Sequence, residues 1–408
     1  MAGQLSSDHV VGRARVIDRI WRALQKKSLR FTAERRIGKT TIMKKMAAEP
    51  RPGWRVMFID LEAISSAEKF AEDLVTRMRP WMSVEHAGKT LFQRFLETVG
   101  GSEIAGVFKL PEFGKLGWKA TLEKAFEGIF AHLHAGRSSE MLLFLFDELP
   151  YMLQKISFYD ERRGSQENSA LEILDTLREL QGRFPQLRMV FAGSVGLHHV
   201  LHNIRGADFA AESLNDMPLV EIAPLDSDDA IQLASQLLDF DNVRTAGVDR
   251  ESVVRCLAES TDGVPFYMER VVSQLSDLER PVTTEDIRRS VRRHLTDDHD
   301  HWEMEHFRSR LRIYYPGEMS DAGRQPVAMR VVASAVLDIL ATATEPHTVE
   351  RVWQELRARL PLTERQEIPG LLGLLVKDHY LISDEDKRYS FRFPLIRTWW
   401  ILAQGLNS

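Results

Sequence analysis

The amino-acid sequence predicts an α/β fold built on a parallel sheet, followed by a largely helical C-terminal half. Three observations lead there. Over residues 1–225, short apolar runs alternate with amphipathic stretches, the repeated texture of strand, loop and helix. One run, Met141–Phe146, is apolar at nearly every position, as a central strand covered on both faces must be. After Pro224 the pattern changes to helices opened by capping residues, with few strands.

Taken in order, strands are expected at Ser28–Thr32, Arg55–Leu61, Met141–Phe146, Arg188–Ala192 and Leu219–Ile222. Helices are expected at Thr40–Ala48 and Trp118–Leu133. Between them Gly100–Gly117 is glycine-rich and irregular, and predicts an inserted hairpin. Asp226-Ser227-Asp228-Asp229 offers N-cap residues ahead of the apolar period Ile231, Ala234, Leu237 and Leu238. Thr283-Thr284-Glu285-Asp286 opens a further helix in the same manner. From Pro326, helices lead to a charged hairpin, Leu381–Phe393, turning around Asp384-Glu385-Asp386-Lys387.

Composition narrows the functional classes. A chain of 408 residues has room for two or three domains. Its 44% hydrophobic and 28% charged residues are ordinary globular proportions. With 54 Lys+Arg against 59 Asp+Glu, the net charge of −5 gives no whole-molecule field to recruit nucleic acid or anionic lipid. The single cysteine, Cys256, excludes an intramolecular disulfide framework and any multi-cysteine zinc module. No apolar run approaches the roughly 18 residues of a membrane span, and MAGQLSSDHVVGR has no signal-peptide core. A soluble, cytoplasmic protein is expected.

The central motif is Ala33-Glu34-Arg35-Arg36-Ile37-Gly38-Lys39-Thr40, followed by Thr41. It comes after an expected strand and opens an expected helix, the setting of a Walker A phosphate-binding loop. Backbone N–H groups of such a loop and of the helix N-terminus present partial positive charge to phosphate. Lys39 can reach the β and γ oxygens, and the Thr40 hydroxyl can bind magnesium. Ala33 stands where the usual pattern has its first glycine. Alanine there is harmless at negative φ and strained at positive φ.

A second element follows in chain order. The apolar strand Leu142–Phe146 ends in Asp147-Glu148, a Walker B pattern. Asp147 is placed to hold the magnesium shell, and Glu148 to orient and deprotonate an attacking water. Arg188–Ala192 then ends in Gly193-Ser194, where Ser194 serves either as a γ-phosphate or water sensor or as an ordinary strand-to-loop turn.

This combination resembles the AAA+ and STAND classes of P-loop ATPases, in particular the archaeal-type ATPase branch found widely in prokaryotes. The residues that carry the resemblance are Val11-Gly12-Arg13, Arg35–Thr40, Phe146-Asp147-Glu148, Gly193-Ser194 and Gly263-Val264-Pro265, with Leu371–Leu381 and Tyr389–Leu395 near the C-terminus. The resemblance implies a P-loop NTPase core with a parallel sheet over residues 1–225. It implies a helical lid with connecting helices over 226–325 and a C-terminal winged-helix domain over 326–408. ATP and Mg2+ are the implied cofactors. Glu34, Arg35, Arg36, Ile37, Gly38, Lys39, Thr40 and Thr41 would hold the phosphates. Val11, Gly12 and Arg13 would lie against adenine, with Pro265 packing on the same base; Gly263-Val264-Pro265 reads equally as an ordinary helix stop. The family carries acids after its Gly-Arg pair, where this chain has Ala14, Arg15 and Val16. Arg205 follows the sensor strand without the family's usual arginine-finger context.

Two histidine-rich stretches read mainly as solvated surface. Asp297-Asp298-His299-Asp300-His301 with Glu303, Glu305 and His306 offers metal-ligand types, but its acids equally cap a helix starting near Trp302, with Trp302 and Phe307 facing the core. His198, His199 and His202 fit a surface helix. In the C-terminal region, the candidate recognition helix Gln366–Lys377 has Lys377 as its one base, and residues 326–408 hold 10 Lys+Arg and 10 Asp+Glu. That balance favours a protein partner or self-association over DNA. The expected function is a magnesium-dependent ATP-binding and hydrolysing conformational switch that regulates a protein partner, either free or associated with nucleic acid. The alternatives are a nucleotide-stabilised scaffold with little turnover and a DNA-dependent ATPase acting through the winged helix.

Overall fold

The computed structural model describes residues 11–406 except 83–84, 87–88, 101, 105, 110–115, 137, 165–167, 194–199, 201–215, 246–248, 298, 316–317, 320–326 and 362–363. The expectations for Ser194, His198, His199, His202 and Arg205 fall outside the described residues. The chain forms two compact units. The first contains Ala14–Thr32 and Lys39–Ile222, and the second contains Val11–Arg13, Ala33–Gly38 and Ala223–Ser408.

The first unit begins with α1 (Ala14–Leu24), β1 (Leu29–Thr32), α2 (Lys39–Ala48), β2 (Trp54–Asp60) and α3 (Ala67–Met78). The strand pair β3 (Glu85–His86) and β4 (Lys89–Thr90) leads into α4 (Leu91–Val99). Next come β5 (Ser102–Ile104), β6 (Val107–Lys109), α5 (Trp118–Ala135), β7 (Met141–Asp147) and α6 (Leu149–Arg162). The unit closes with α7 (Ser169–Arg183), β8 (Leu187–Phe191) and β9 (Leu219–Glu221). Five strands pair in parallel in the order β2-β7-β8-β1-β9.

The apolar run at 141–146 is central because both its faces are covered: Leu142, Leu143, Phe144, Leu145 and Phe146 are fully buried. Phe144 and Phe146 stack, and Phe70, Phe126 and Phe191 pack on them. The expected hairpin exists as β5–β6, anchored where Phe108 N–H donates to the Thr76 hydroxyl at 2.9 Å and its ring packs on Phe95. Strand ends differ from expectation by one residue at β1, β2, β7, β8 and β9. An apolar run marks burial, whereas a strand ends where its ladder hydrogen bonds end.

The second unit is mainly helical: α8 (Ser227–Phe240), α9 (Arg250–Ser260), α10 (Pro265–Leu275), α11 (Thr284–Leu295) and α12 (Glu305–Tyr314). Asp226 caps α8 by accepting from Asp229 N–H, and Thr283 and Asp286 form a reciprocal capping box on α11. Trp302 and Phe307 are buried as expected, but α12 starts at Glu305, one turn later than Trp302. The reason is local. Asp300 and Glu303 take left-handed φ of 46° and 58°, and the Asp300 carboxylate accepts from Met304 N–H and Glu305 N–H. Asp297, in turn, is engaged by the rings of His299 and His301.

A short pair, β10 (Glu318–Met319) and β11 (Val327–Ala328), precedes α13 (Met329–Thr342). The rest is β12 (His347–Thr348), α14 (Val349–Arg359), α15 (Ile368–Lys377), β13 (Leu381–Ser383), β14 (Arg388–Phe391) and α16 (Pro394–Gln404). β14 lies between β12 and β13 in an antiparallel three-stranded sheet. The leucine-rich helix α15 spends Ile368, Leu371, Leu372 and Leu375 on the core. Among the described residues no helix is long and apolar enough to cross a membrane.

Candidate nucleotide-binding site

In the first unit, the site is built where strands end and helices begin. α2 opens at Lys39, so Lys39, Thr40 and Thr41 occupy its first turn, with no acid there to oppose an anion. Lys39 is itself buried. The Thr40 hydroxyl donates to Asp147 Oδ2 at 2.6 Å. A residue at the start of one helix and a residue at the end of another strand, 107 positions apart, therefore share one point. The sheet order is consistent with it: one strand, β8, separates β7 from β1, after which α2 begins at Lys39.

Asp147 is 3% exposed, and its Oδ1 has no hydrogen-bond partner among the described residues. Burial pushes its carboxyl above the usual range, while the Thr40 hydroxyl and the Lys39 charge pull it back. An orphaned buried carboxylate oxygen beside a hydroxyl is costly unless something positive meets it. An oxygen donor set of this kind fits a hard divalent cation such as magnesium. Asp60, at the end of β2, pairs in register with Asp147 and contributes to its raised value. Sequence reasoning passed over Asp60, although an acid closing an apolar strand was the signal already used for Asp147.

Glu148 follows with φ of 55°, a left-handed conformation that turns the chain out of β7 and into α6. Backbone strain of this sort at a strand end fixes the direction of the side chain. The neighbouring strand end is held close: Leu149 N–H donates to Ala192 O, and Ala192 N–H to Phe146 O. A Cβ on Gly193 would stand 2.6 Å from Pro150 Cδ and 3.6 Å from Glu148 Oε2, so only glycine permits this approach.

In the second unit, the loop residues before Gly38 are tied by their side chains. Glu34 is 4% exposed and accepts from Arg310 Nη1 with both oxygens, at 2.9 and 3.0 Å. Arg310, also buried, gives Nη2 to Asp378 O at 2.7 Å, and Asp378 Oδ2 accepts from the Tyr315 hydroxyl. Arg35 and Arg36 both pair with the half-exposed Glu303, and Arg36 lies over the Phe266 ring at 4.4 Å. Left-handed φ falls on Arg36 (69°) and Gly38 (103°), not on Ala33. The departure from glycine at Ala33 thus carries no backbone strain. Glu34 Oε1 also accepts from Arg35 N–H at 2.7 Å, so this backbone donor of the loop is already engaged from within it. Sequence reasoning named Glu34–Arg36 but missed Arg310 and Asp378, and it singled out Glu303 only as a possible metal ligand, since no local spacing connects the three to the loop.

Arg13 is buried; it donates to Ile37 O and Ala223 O, each at 2.7 Å. Burial lowers its pKa to about 10, against the opposing pull of Asp229 and Asp226. Its guanidinium therefore fixes the loop backbone. Gly12, at φ of 70°, packs so closely that a Cβ would meet Asp229 Cβ at 2.6 Å and Leu225 at 2.9 Å. Leu225 N–H donates to Gly263 O, which brings Val11–Arg13 and the Gly263-Val264-Pro265 turn onto one residue. Pro265 stands at the first position of α10, preorganised by its fixed φ.

No known protein-family profile matches the sequence, and no curated protein matches it. Solved structures do. The Walker-type ATPase PABY2304 of Pyrococcus abyssi is 15% identical, with 98% of this chain and 99% of that one covered and a TM-score of 0.62. The RuvB Holliday junction branch migration motor of Thermotoga maritima is 10% identical over 95% of each chain, at a TM-score of 0.41. Only the first is close enough to bear on the fold. With its five-stranded parallel sheet and the loop between β1 and α2, this chain has the P-loop NTPase fold.

Proposed function

We propose that this protein is a magnesium-dependent ATPase of the AAA+/STAND kind, of the archaeal-type branch, working as a conformational switch on a protein partner or on a second copy of itself. The observation that carries the reading is the Thr40–Asp147 contact with its unpartnered buried oxygen, one residue from Glu148. Lys39 and the first turn of α2 would bind the phosphates of ATP or ADP. Thr40 and Asp147 would hold magnesium, which supplies neutralisation of charge on the β and γ oxygens. Glu148 would orient the attacking water and take its proton. Ser194 is proposed as the sensor. Val11, Gly12, Arg13 and Pro265 are proposed around the adenine.

We read the chain as three functional parts: core 1–225, lid and connecting helices 226–325, and winged helix 326–408. Support for the last is the order α13, β12, α14, α15, β13, β14, a helical trio followed by a hairpin. The Glu34–Arg310–Asp378 chain gives the switch a route: a shift of the phosphate loop on nucleotide exchange would be felt at the C-terminal cap of α15. Ala33 at ordinary φ removes one reason to favour a silent scaffold.

The test uses two variants. Glu148→Gln should bind ATP normally and release no phosphate; unchanged turnover would reject the role of Glu148. Lys39→Ala should lose nucleotide binding by calorimetry.

A further inference from the structure

Helix α11 carries Arg288, Arg289, Arg292 and Arg293, all exposed. Two pairs spaced by four residues place the guanidinium groups on one side of the helix, one turn apart. Ile287, Ser290, Val291 and Leu295 occupy the opposite, buried side, so the helix cannot rotate the arginines inward. None of the four has an acidic partner among the described residues. By contrast, neighbouring charges are paired: Arg280 with Asp286, and Asp297 with His299 and His301. Arg292 and Arg293 lie in the last turn, where cations complement the helix dipole, but Arg288 and Arg289 lie a turn earlier and gain little from it.

We propose that this face of α11 is a docking surface for the phosphodiester backbone of a nucleic acid. Guanidinium groups match phosphate oxygens in fork geometry, and four unpaired ones along two turns can follow successive phosphates. A protein interface normally has an apolar or aromatic centre that excludes water. The exposed residues of α11 are Glu285 and the four arginines, with no apolar side chain among them. A surface of four cations, with Glu285 as the one exposed acid of the helix and no apolar centre, suits sequence-independent backbone contact. It lies outside the sequence range 326–408, whose balanced charge offers no such stripe. The proposal does not depend on the ATPase reading, because its readout is binding.

The experiment is fluorescence anisotropy with a labelled 30-base-pair DNA duplex of arbitrary sequence, a matching RNA duplex and a 30-nucleotide single strand, across 50–200 mM salt. Four duplex phosphate contacts predict a log–log salt slope of about −3.6, a loss of roughly 100-fold over that range. Arg288→Gln/Arg292→Gln should about halve the slope, and the fourfold glutamine variant should abolish binding, with circular dichroism unchanged since no hydrogen bond or ion pair of the four side chains occurs among the described residues. The three arms show which strand geometry is held, and binding of any of them with this slope supports the proposal. Absence of binding at 50 mM in all arms would overturn it, as would wild-type affinity in the fourfold variant. Tighter binding of a polyglutamate peptide of equal charge would overturn it in favour of an acidic protein partner.

Discussion

Replacing Arg310 is the most informative perturbation of this structure. Arg310 and Glu34 are both 4% exposed by side chain and face each other through two hydrogen bonds. Arg310→Met keeps much of the volume and removes the charge, which leaves a buried carboxylate without its cation. Breaking a buried pair from one side costs about 3–5 kcal/mol, mostly because the remaining charge is desolvated and alone. For a unit of this size each kcal/mol moves the transition by about 2–4 °C, so the second unit should melt roughly 6–20 °C lower. The half-exposed Arg35–Glu303 pair provides the contrast: Arg35→Met should move the same transition by less than about 1 kcal/mol. Differential scanning calorimetry separates the two cases. The double variant Glu34→Gln/Arg310→Met should recover most of the loss, since neither charge is then left alone. A shift under 2 °C for Arg310→Met would refute the reasoning, by showing that water reaches Glu34.

Three further outcomes are expected. The Asp262 carboxyl, which accepts from Leu395 N–H, is pushed up to about 6 by burial. A raised carboxyl favours the folded state while protonated, so its contribution, on the order of 3 kcal/mol, is present below pH 4 and lost as pH rises through 6. Asp262→Asn keeps an acceptor for Leu395 and tolerates the left-handed φ of 51°; it should be more stable than wild type at pH 7.5 and equal to it at pH 3.5, and a pH-independent difference would contradict the assignment. Gly193→Ala should lower both the unfolding free energy, by about 1–3 kcal/mol, and turnover, because the new methyl displaces Pro150 beside Glu148. Asp147→Asn should weaken the magnesium dependence of nucleotide binding, read by titrating the metal at fixed ATP.

What could be read from the sequence was whatever physics writes locally. The phosphate loop is legible because its glycine, lysine and threonine must be consecutive and must join a strand to a helix. β7 is legible because a strand buried on both faces has no room for polar residues. The caps of α8 and α11 are legible because an N-cap acts over three residues. The Glu34–Arg310 pair spans 276 positions and obeys no spacing rule, so only packing reveals it. The α11 arginines were in plain view as a doubled pair, yet a net charge summed over 408 residues averages them away. Position 33 shows the reverse case: a missing glycine looks damaging until φ is known.

The loop residues 33–38 belong, by packing, to the half of the chain that starts at Ala223. This has a consequence for inheritance. An exchange of residues 223–408 that brought no cation at position 310 would keep Glu34 without its partner. Unless both changed together, a lone charge would be sealed inside the recombinant. The C-terminal half is therefore not a free cassette: any replacement must set a cation opposite Glu34 or change Glu34 with it.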